Sequence, residues 1–332
     1  MNADPARTGT DVRLADYYSM CGVGIEVSAA DEVAALIRTR LRFMRSPAAQ
    51  PASLLFDMRA SGADGFAVPP DGPSRPVYDM SRGQLMYFEG QDQLFIDYPG
   101  YLRMLCSPTA GLVQFALFGE GAAANVLAAY PLFTISLIEL MKRRGRFPLH
   151  AGCVAKQGRG LLLAGMSGSG KSTLTAALVA AGWDFLTDDM VLVVREAGAV
   201  RAVGLSDEID CSDETAGMIP ELRHLVGTPT LADRGKHSVD VEWAFGVLPV
   251  PECRPRALVL PSVSGERRSV VTPVSASYAL RELAPNVLLT QPAATQAHLD
   301  ALAELVREVP CYTLATGTDL SFADRCLQEI LS

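Results

Sequence analysis

The sequence predicts an α/β fold built around a phosphate-binding loop, preceded by a smaller α+β domain. Three observations carry that reading. The stretch LLLAGMSGSGKSTLTAALVAAGWDFLTDDMVLV, Leu161 to Val193, fits G-x-x-x-x-G-K-[ST], with Gly165, Gly170, Lys171 and Ser172 at the fixed positions. An apolar run feeds the loop and strong helix formers follow it, which is the strand–loop–helix context that phosphate binding requires. Around Leu149 the texture changes from scattered strand-like runs to paired apolar runs joined by turn residues. The expected division is residues 1–130 and residues 131–332.

In chain order, the first domain mixes the strand-like runs GVGIEV, QLMYFEG, QLFIDYPGYLRML and GLVQFALFG with one helical stretch, SAADEVAALIRTRLRFM, which opens on Ser28 as a cap followed by acidic residues. RASGADGFAVPPDGPSRPVYD is dense in Gly, Pro, Asp and Ser and reads as loop. The apolar stretch Ala122 to Met141 is broken by Asn125, Pro131 and Glu139, so it is expected to be a buried helix and not a membrane span. LHAGCVAK and GRGLLLAG, joined by the turn-prone KQGR, predict a β-hairpin whose second strand enters the glycine loop. STLTAALVAAG is a helix stopped at Gly182, WDFLTDD a short strand ending in two carboxylates, and MVLVVREAGAVRAVGL a second hairpin around Ala197 and Gly198. RALVLP and CYTLAT are further strands, with helices at Ser275 to Leu283, at Ala294 to Val309 and from Leu320.

Composition excludes several classes. Apolar residues are 49% and charged residues 20%, enough to bury a core and too apolar for extended disorder. Lys and Arg total 29 against 37 Asp and Glu, a net charge of -8, which argues against nucleic acid as a partner. The seven cysteines form no C-x-x-C pair and read as reduced thiols of a cytoplasmic protein. The acidic N-terminus lacks the apolar run of a secretory signal.

The loop's chemistry follows from its residue types. Its glycines let successive backbone N–H groups turn toward phosphate oxygens at a helix N-terminus, Lys171 adds positive charge at the β- and γ-phosphates, and the Ser172 hydroxyl suits Mg²⁺. Asp188 and Asp189 arrive after one helix and one short strand. Two carboxylates beside a γ-phosphate offer two roles, one in the metal shell and one as proton acceptor for an attacking hydroxyl. His150 opens the hairpin, which brings it near the loop for a supporting or acid/base role.

The segment LHAGCVAKQGRGLLLAGMSGSGKSTLTAALVAAGWDFLTDD resembles the catalytic core of HPr kinase/phosphorylase and its related proteins, where a His, a P-loop and an Asp-Asp pair occur in this order at similar spacing. The likeness is strong over about forty residues, loose over Leu149 to Ser332, and absent from the N-terminal half. It implies a P-loop kinase core of HPr kinase/PEP carboxykinase-like type with β-hairpin additions. It also implies that ATP and Mg²⁺ are the cofactors, that Gly165, Met166, Ser167, Gly168, Ser169, Gly170, Lys171, Ser172 and Thr173 bind the nucleotide, that Ser172 and Asp188 hold the metal, and that Asp189 is the proton acceptor supported by His150. The loop reads GKST where the bifunctional enzymes have GKSE, and their glutamate-arginine-glycine signature is missing after the aspartates. Neither HPr as acceptor nor the reverse phosphorolysis is therefore carried over. Within GLSDEIDCSDET, Asp207, Glu208, Asp213 and Glu214 are candidates for a second metal ligand or simply a solvated acidic loop. In LADRGKHSVDVEW, the residues Asp233, Arg234, Lys236 and His237 either fold over the phosphates or form a plain surface loop.

The expected function is transfer of the γ-phosphoryl group to a hydroxyl, serine in a peptide or protein first and a small-molecule alcohol second. A non-catalytic ATP-binding regulator is the alternative from another class. No membrane partner is expected, and the resemblance implies a symmetric homo-oligomer.

Overall fold

The computed structural model describes residues 13–45, 51–60, 66–80, 82–118, 132–196, 198–230, 235–287 and 289–332. The chain divides into two units, Met1–Leu140 and Met141–Ser332.

The first unit is built from β1 (Arg13–Met20), β2 (Val23–Ala30), α1 (Asp31–Arg40), β3 (Leu54–Ala60), β4 (Ser74–Met80), β5 (Gly83–Phe88), β6 (Gln93–Tyr98), β7 (Leu102–Ser107) and β8 (Leu112–Leu117). Its strands form an eight-stranded sheet in the order β1-β2-β3-β8-β7-β6-β5-β4, parallel at β2/β3 and β3/β8. Two expectations are corrected here. Ser28 is not a helix cap: Val23, Ile25, Val27 and Ala29 alternate inward, so pairing with β1 carries the strand on to Ala30, which caps α1 without a side-chain bond. The segment read as loop contains β4, whose Pro76 is tolerated because β4 is the edge strand and has a bulge between Pro76 and Tyr78. Of the apolar stretch from Ala122 to Met141, residues 122–131 lie outside those described, and the remainder falls in α2 (Leu132–Lys142). No helix among the described residues is long and apolar enough to cross a membrane.

In the second unit β9 (Arg146–Lys156) and β10 (Arg159–Ala164) form an antiparallel hairpin, turned by Gln157 and Gly158 in the left-handed region at φ 53° and 75°. Next come α3 (Lys171–Ala180), β11 (Asp184–Thr187), β12 (Met190–Glu196), β13 (Ala199–Gly204), β14 (Glu208–Cys211), α4 (Asp213–Met218), β15 (His237–Asp240) and α5 (Val241–Phe245). The chain finishes with β16 (Glu252–Val263), β17 (Val270–Val274), α6 (Ala276–Leu283), α7 (Pro292–Glu308), β18 (Cys311–Thr316) and α8 (Leu320–Leu331).

β9 pairs with three strands. Its first half pairs with β12 and its second half with β10, while β11 pairs along the other side of that second half. β10, β16 and β18 are parallel neighbours, so their C-terminal ends emerge on one sheet edge, where α/β folds place ligands. The continuous run Leu161–Leu162–Leu163 is explained by burial on both faces. Leu161 and Leu163 pack with Leu174 and Leu178 of α3 and Leu327 of α8, whereas Leu162 packs with Leu283 of α6 and Leu302 and Leu305 of α7. All seven cysteines are free thiols.

Candidate functional site

The glycine loop spans the gap between the end of β10 and the start of α3. Gly165, Gly168 and Gly170 have φ of 149°, 80° and 90°, values that side chains resist. Gly170 is the N-cap of α3 and adds no side-chain bond, which leaves first-turn N–H groups for an anion. Ser167, Gly168, Gly170, Lys171, Ser172 and Thr173 line a cavity of about 620 Å³. Gly165, Met166 and Ser169 stand outside that lining: the first two offer their carbonyls to Lys171 Nζ at 2.9 and 3.1 Å, and the enclosed Ser169 Oγ has no partner among the described residues. Burial lowers the Lys171 pKa, against the pull of Asp188 and Asp189.

The two aspartates diverge. Asp188, only 3% exposed, directly follows β11 and points inward, where its Oδ2 accepts the Asp210 N–H at 3.2 Å. Its Oδ1 is enclosed and makes no well-formed hydrogen bond among the described residues. Burial raises this carboxyl to about 6, with the Ser172 hydroxyl and the Asp210 amide pulling the other way. The Asp189 side chain is 59% exposed, and its Oδ1 lies 3.0 Å from His150 Nδ1. Backbone pairing sets that contact, since His150 is opposite Met190 and the Ala151 N–H donates to the Asp189 carbonyl at 3.1 Å. Close approaches hold the aspartate strand in place: a Cβ on Gly204 would sit 2.3 Å from the Leu186 carbonyl oxygen.

An ion of Mg²⁺ type fits these residues. The buried Asp188 Oδ1 makes no well-formed hydrogen bond among the described residues, and the Ser172 hydroxyl interacts with the same carboxyl. Mg²⁺ commonly uses one or two carboxylates, with phosphates and water completing the shell. No group of three or more His, Cys, Asp or Glu able to hold a metal ion occurs among the described residues.

The acidic segment resolves unevenly. Glu214 lines the cavity, and so does Asp210, which the sequence reading passed over. Asp213 instead accepts from His237 Nε2 at 2.7 Å, an interaction that lowers its pKa, and Glu208 accepts from the Ser238 hydroxyl at 2.8 Å. Asp207 is buried and does not line the cavity. The missed signal was the alternation of β14, where Ile209 and Cys211 turn inward and Asp210 therefore turns the other way. Lys236 lines the cavity with buried His237 behind it, while Asp233 and Arg234 lie outside the described residues. A 2.7 Å bond between the Thr173 and Thr215 hydroxyls ties the first turn of α3 to α4. The ends of β16 and β18 complete the cavity with Val263, Ser264, Thr316, Gly317, Thr318 and, from α8, Leu320.

A family model described as SynChlorMet cassette protein ScmC matches residues 132–206, the part of the chain that holds the glycine loop and both aspartates. Among solved structures the chain is similar to the Hpr(Ser) kinase/phosphatase from Coxiella burnetii at 12% identity and a TM-score of 0.29, over 55% of this chain and 92% of that one. No curated protein matches.

Proposed function

We propose that this chain is a phosphotransferase that moves the γ-phosphoryl group of Mg²⁺-ATP to an alcohol, with serine in a peptide or protein as the first acceptor class. One observation carries the reading: a glycine loop, a buried carboxylate beside a hydroxyl, and an exposed carboxylate backed by a histidine all border one cavity.

The residues divide the work. The loop and Lys171 hold and orient the β- and γ-phosphates. Ser172 and Asp188 would hold Mg²⁺, which supplies charge neutralisation of the phosphates when bound. Asp189 takes the proton of the acceptor hydroxyl as its oxygen bonds the γ-phosphorus and the bond to the bridging oxygen of ADP breaks. His150 Nδ1 lies 3.0 Å from Asp189 Oδ1, and a proton on that nitrogen would hold the carboxylate in place at the cavity wall.

The test is transfer from γ-labelled ATP with serine peptides and free serine as acceptors. The expected product is a phosphate ester stable to mild acid. Label that is lost in acid, or nucleotide binding with no transfer to any hydroxyl acceptor, would overturn the assignment.

A further inference from the structure

The cavity has a second end, and the sheet topology separates it from the reacting carboxylates. Across the sheet the strands run β11, β9, β10, β16, β18. At a strand spacing of about 4.8 Å, the Asp188 end of β11 and the Thr316 end of β18 stand about 19 Å apart, with the glycine loop midway. β16 and β18 also overshoot β10. Leu163 is level with Val259, whereas β16 runs on to Val263, level with Thr316. These ends rise about 13 Å past Leu163 and wall the cavity beside the loop. Val263 stands over the loop's last glycine, its Cγ2 3.3 Å from where a Gly170 Cβ would be.

This wall differs chemically from the other end. Three of its backbone donors are already used, with one hydroxyl: Ser264 N–H and Oγ both donate to the Thr316 carbonyl at 2.9 and 3.0 Å, Thr318 N–H to the Glu266 carbonyl at 2.9 Å, and Gly317 N–H to Ser269 Oγ at 3.0 Å. Gly317 is needed for that clasp, because a Cβ there would meet the Arg267 carbonyl oxygen at 2.6 Å. A ligand is left the apolar surfaces of Val263, 71% exposed, and Leu320, together with the hydroxyls of Thr316 and Thr318. Thr316 is nine-tenths buried, and its Oγ1 has no hydrogen-bond partner among the described residues. Among the described residues no charged or carboxamide side chain lines this end, whereas Asp188, Asp189, Asp210, Glu214, Lys171 and Lys236 line the rest of the cavity.

We propose that the wall made by Val263, Thr316, Thr318 and Leu320 is the nucleoside end of the site. The inference rests on the phosphotransfer reading, since phosphates seated on the loop with the γ-phosphate toward Asp189 leave the nucleoside on the β16/β18 side. The base lies against Val263 and Leu320, and the Thr316 hydroxyl bonds the sugar or the base. With no carboxamide or charged side chain among the described residues of the wall to read a base edge, it separates purines poorly, so ATP and GTP should bind within about ten-fold of each other.

The experiment measures Mg²⁺-dependent binding of ATP, GTP and inorganic tripolyphosphate to the full chain and to Thr316→Val and Val263→Ala. Thr316→Val removes a hydroxyl that has no partner, so the ligand-free melting temperature should hold or rise. Both variants should weaken ATP roughly three- to ten-fold and leave tripolyphosphate unchanged. The proposal is overturned if both bind ATP as the wild type does, if they lose tripolyphosphate in equal measure, or if ATP is preferred over GTP by more than about a hundred-fold. A wild-type chain that binds tripolyphosphate as tightly as ATP removes the nucleoside wall and leaves the phosphate site standing. Binding of none of the three removes the phosphotransfer reading and this one with it.

Discussion

Replacing Asp188 by Asn should make the chain's stability less dependent on pH in a way whose size the structure sets. In the fold this carboxyl titrates at about 6 and not at 3.8, chiefly because it is buried. A pKa raised on folding means that the native state holds the proton more tightly than the unfolded chain does between those values. Stability from this group is therefore lost as pH rises from about 4 to about 6 and does not return above that. At 1.36 kcal/mol per pH unit, the gap corresponds to about 3 kcal/mol. Asparagine keeps an oxygen for the Asp210 N–H but puts an NH₂ where Oδ1 finds no acceptor, at a cost of about 1–3 kcal/mol that is the same at every pH. The quantity to measure is thus the stability of the variant minus that of the wild type, which should grow by about 2 kcal/mol between pH 4 and pH 7.5, because pH 4 lies only just above the unfolded value. Denaturant unfolding in chelator, followed by tryptophan emission, is suited to this because both tryptophans, Trp183 and Trp243, lie in the second unit. A difference that stays constant with pH would refute the burial argument.

Asp189→Asn should lower transfer by roughly 10² to 10⁴ while nucleotide affinity stays near the wild-type value, because only the proton acceptor is lost; single-turnover transfer and equilibrium binding check this together. Gly204→Ala should cost about 1–3 kcal/mol, since its Cβ meets the backbone of Leu186, and should weaken Mg²⁺-nucleotide binding by displacing the strand that carries Asp188; melting temperature and affinity are the readouts. His298 is buried, stacked on Phe147, with Nε2 2.7 Å from the Pro148 carbonyl, and burial followed by Lys142 lowers its pKa to about 4. A depressed histidine pKa makes stability fall as pH drops from 6.5 toward 4, so His298→Gln should flatten that acid limb in unfolding curves.

The parts of the site legible in the sequence are those whose geometry is local. Gly165, Gly170, Lys171 and Ser172 sit on one strand–loop–helix unit, so fixed spacing is enough to bring them together, and the hairpin from Leu149 carries its own turn residues, Gln157 and Gly158. Other features depended on partners distant in sequence. Period-two burial could not reveal that β9 pairs with β12 over its first half and with β10 and β11 over its second, nor that β4 pairs with β5 despite its exposed face and Pro76. Ser28 had the composition of a cap, but pairing with Ala15 in β1 outweighed local preference.

The same distinction separates the two aspartates. Simple alternation sets neighbours on opposite faces, yet Phe185, Leu186, Thr187 and Asp188 are buried in succession, and only Asp189 is exposed. β11 sits against β9 on one side and Gly204 on the other, so burial continues through it regardless of period, and the chain leaves the interior only at Asp189. Asp188 is thereby held in an environment that opposes its charge, with the Asp210 amide and the Ser172 hydroxyl as the groups that favour ionisation. Asp189, one residue later, keeps solvent access and a histidine partner. A single strand end thus supplies one enclosed carboxylate whose ionisation is opposed and one that solvent and a histidine both reach. Adjacent identical residues acquire different chemistry from how far each lies beyond the last paired residue of β11.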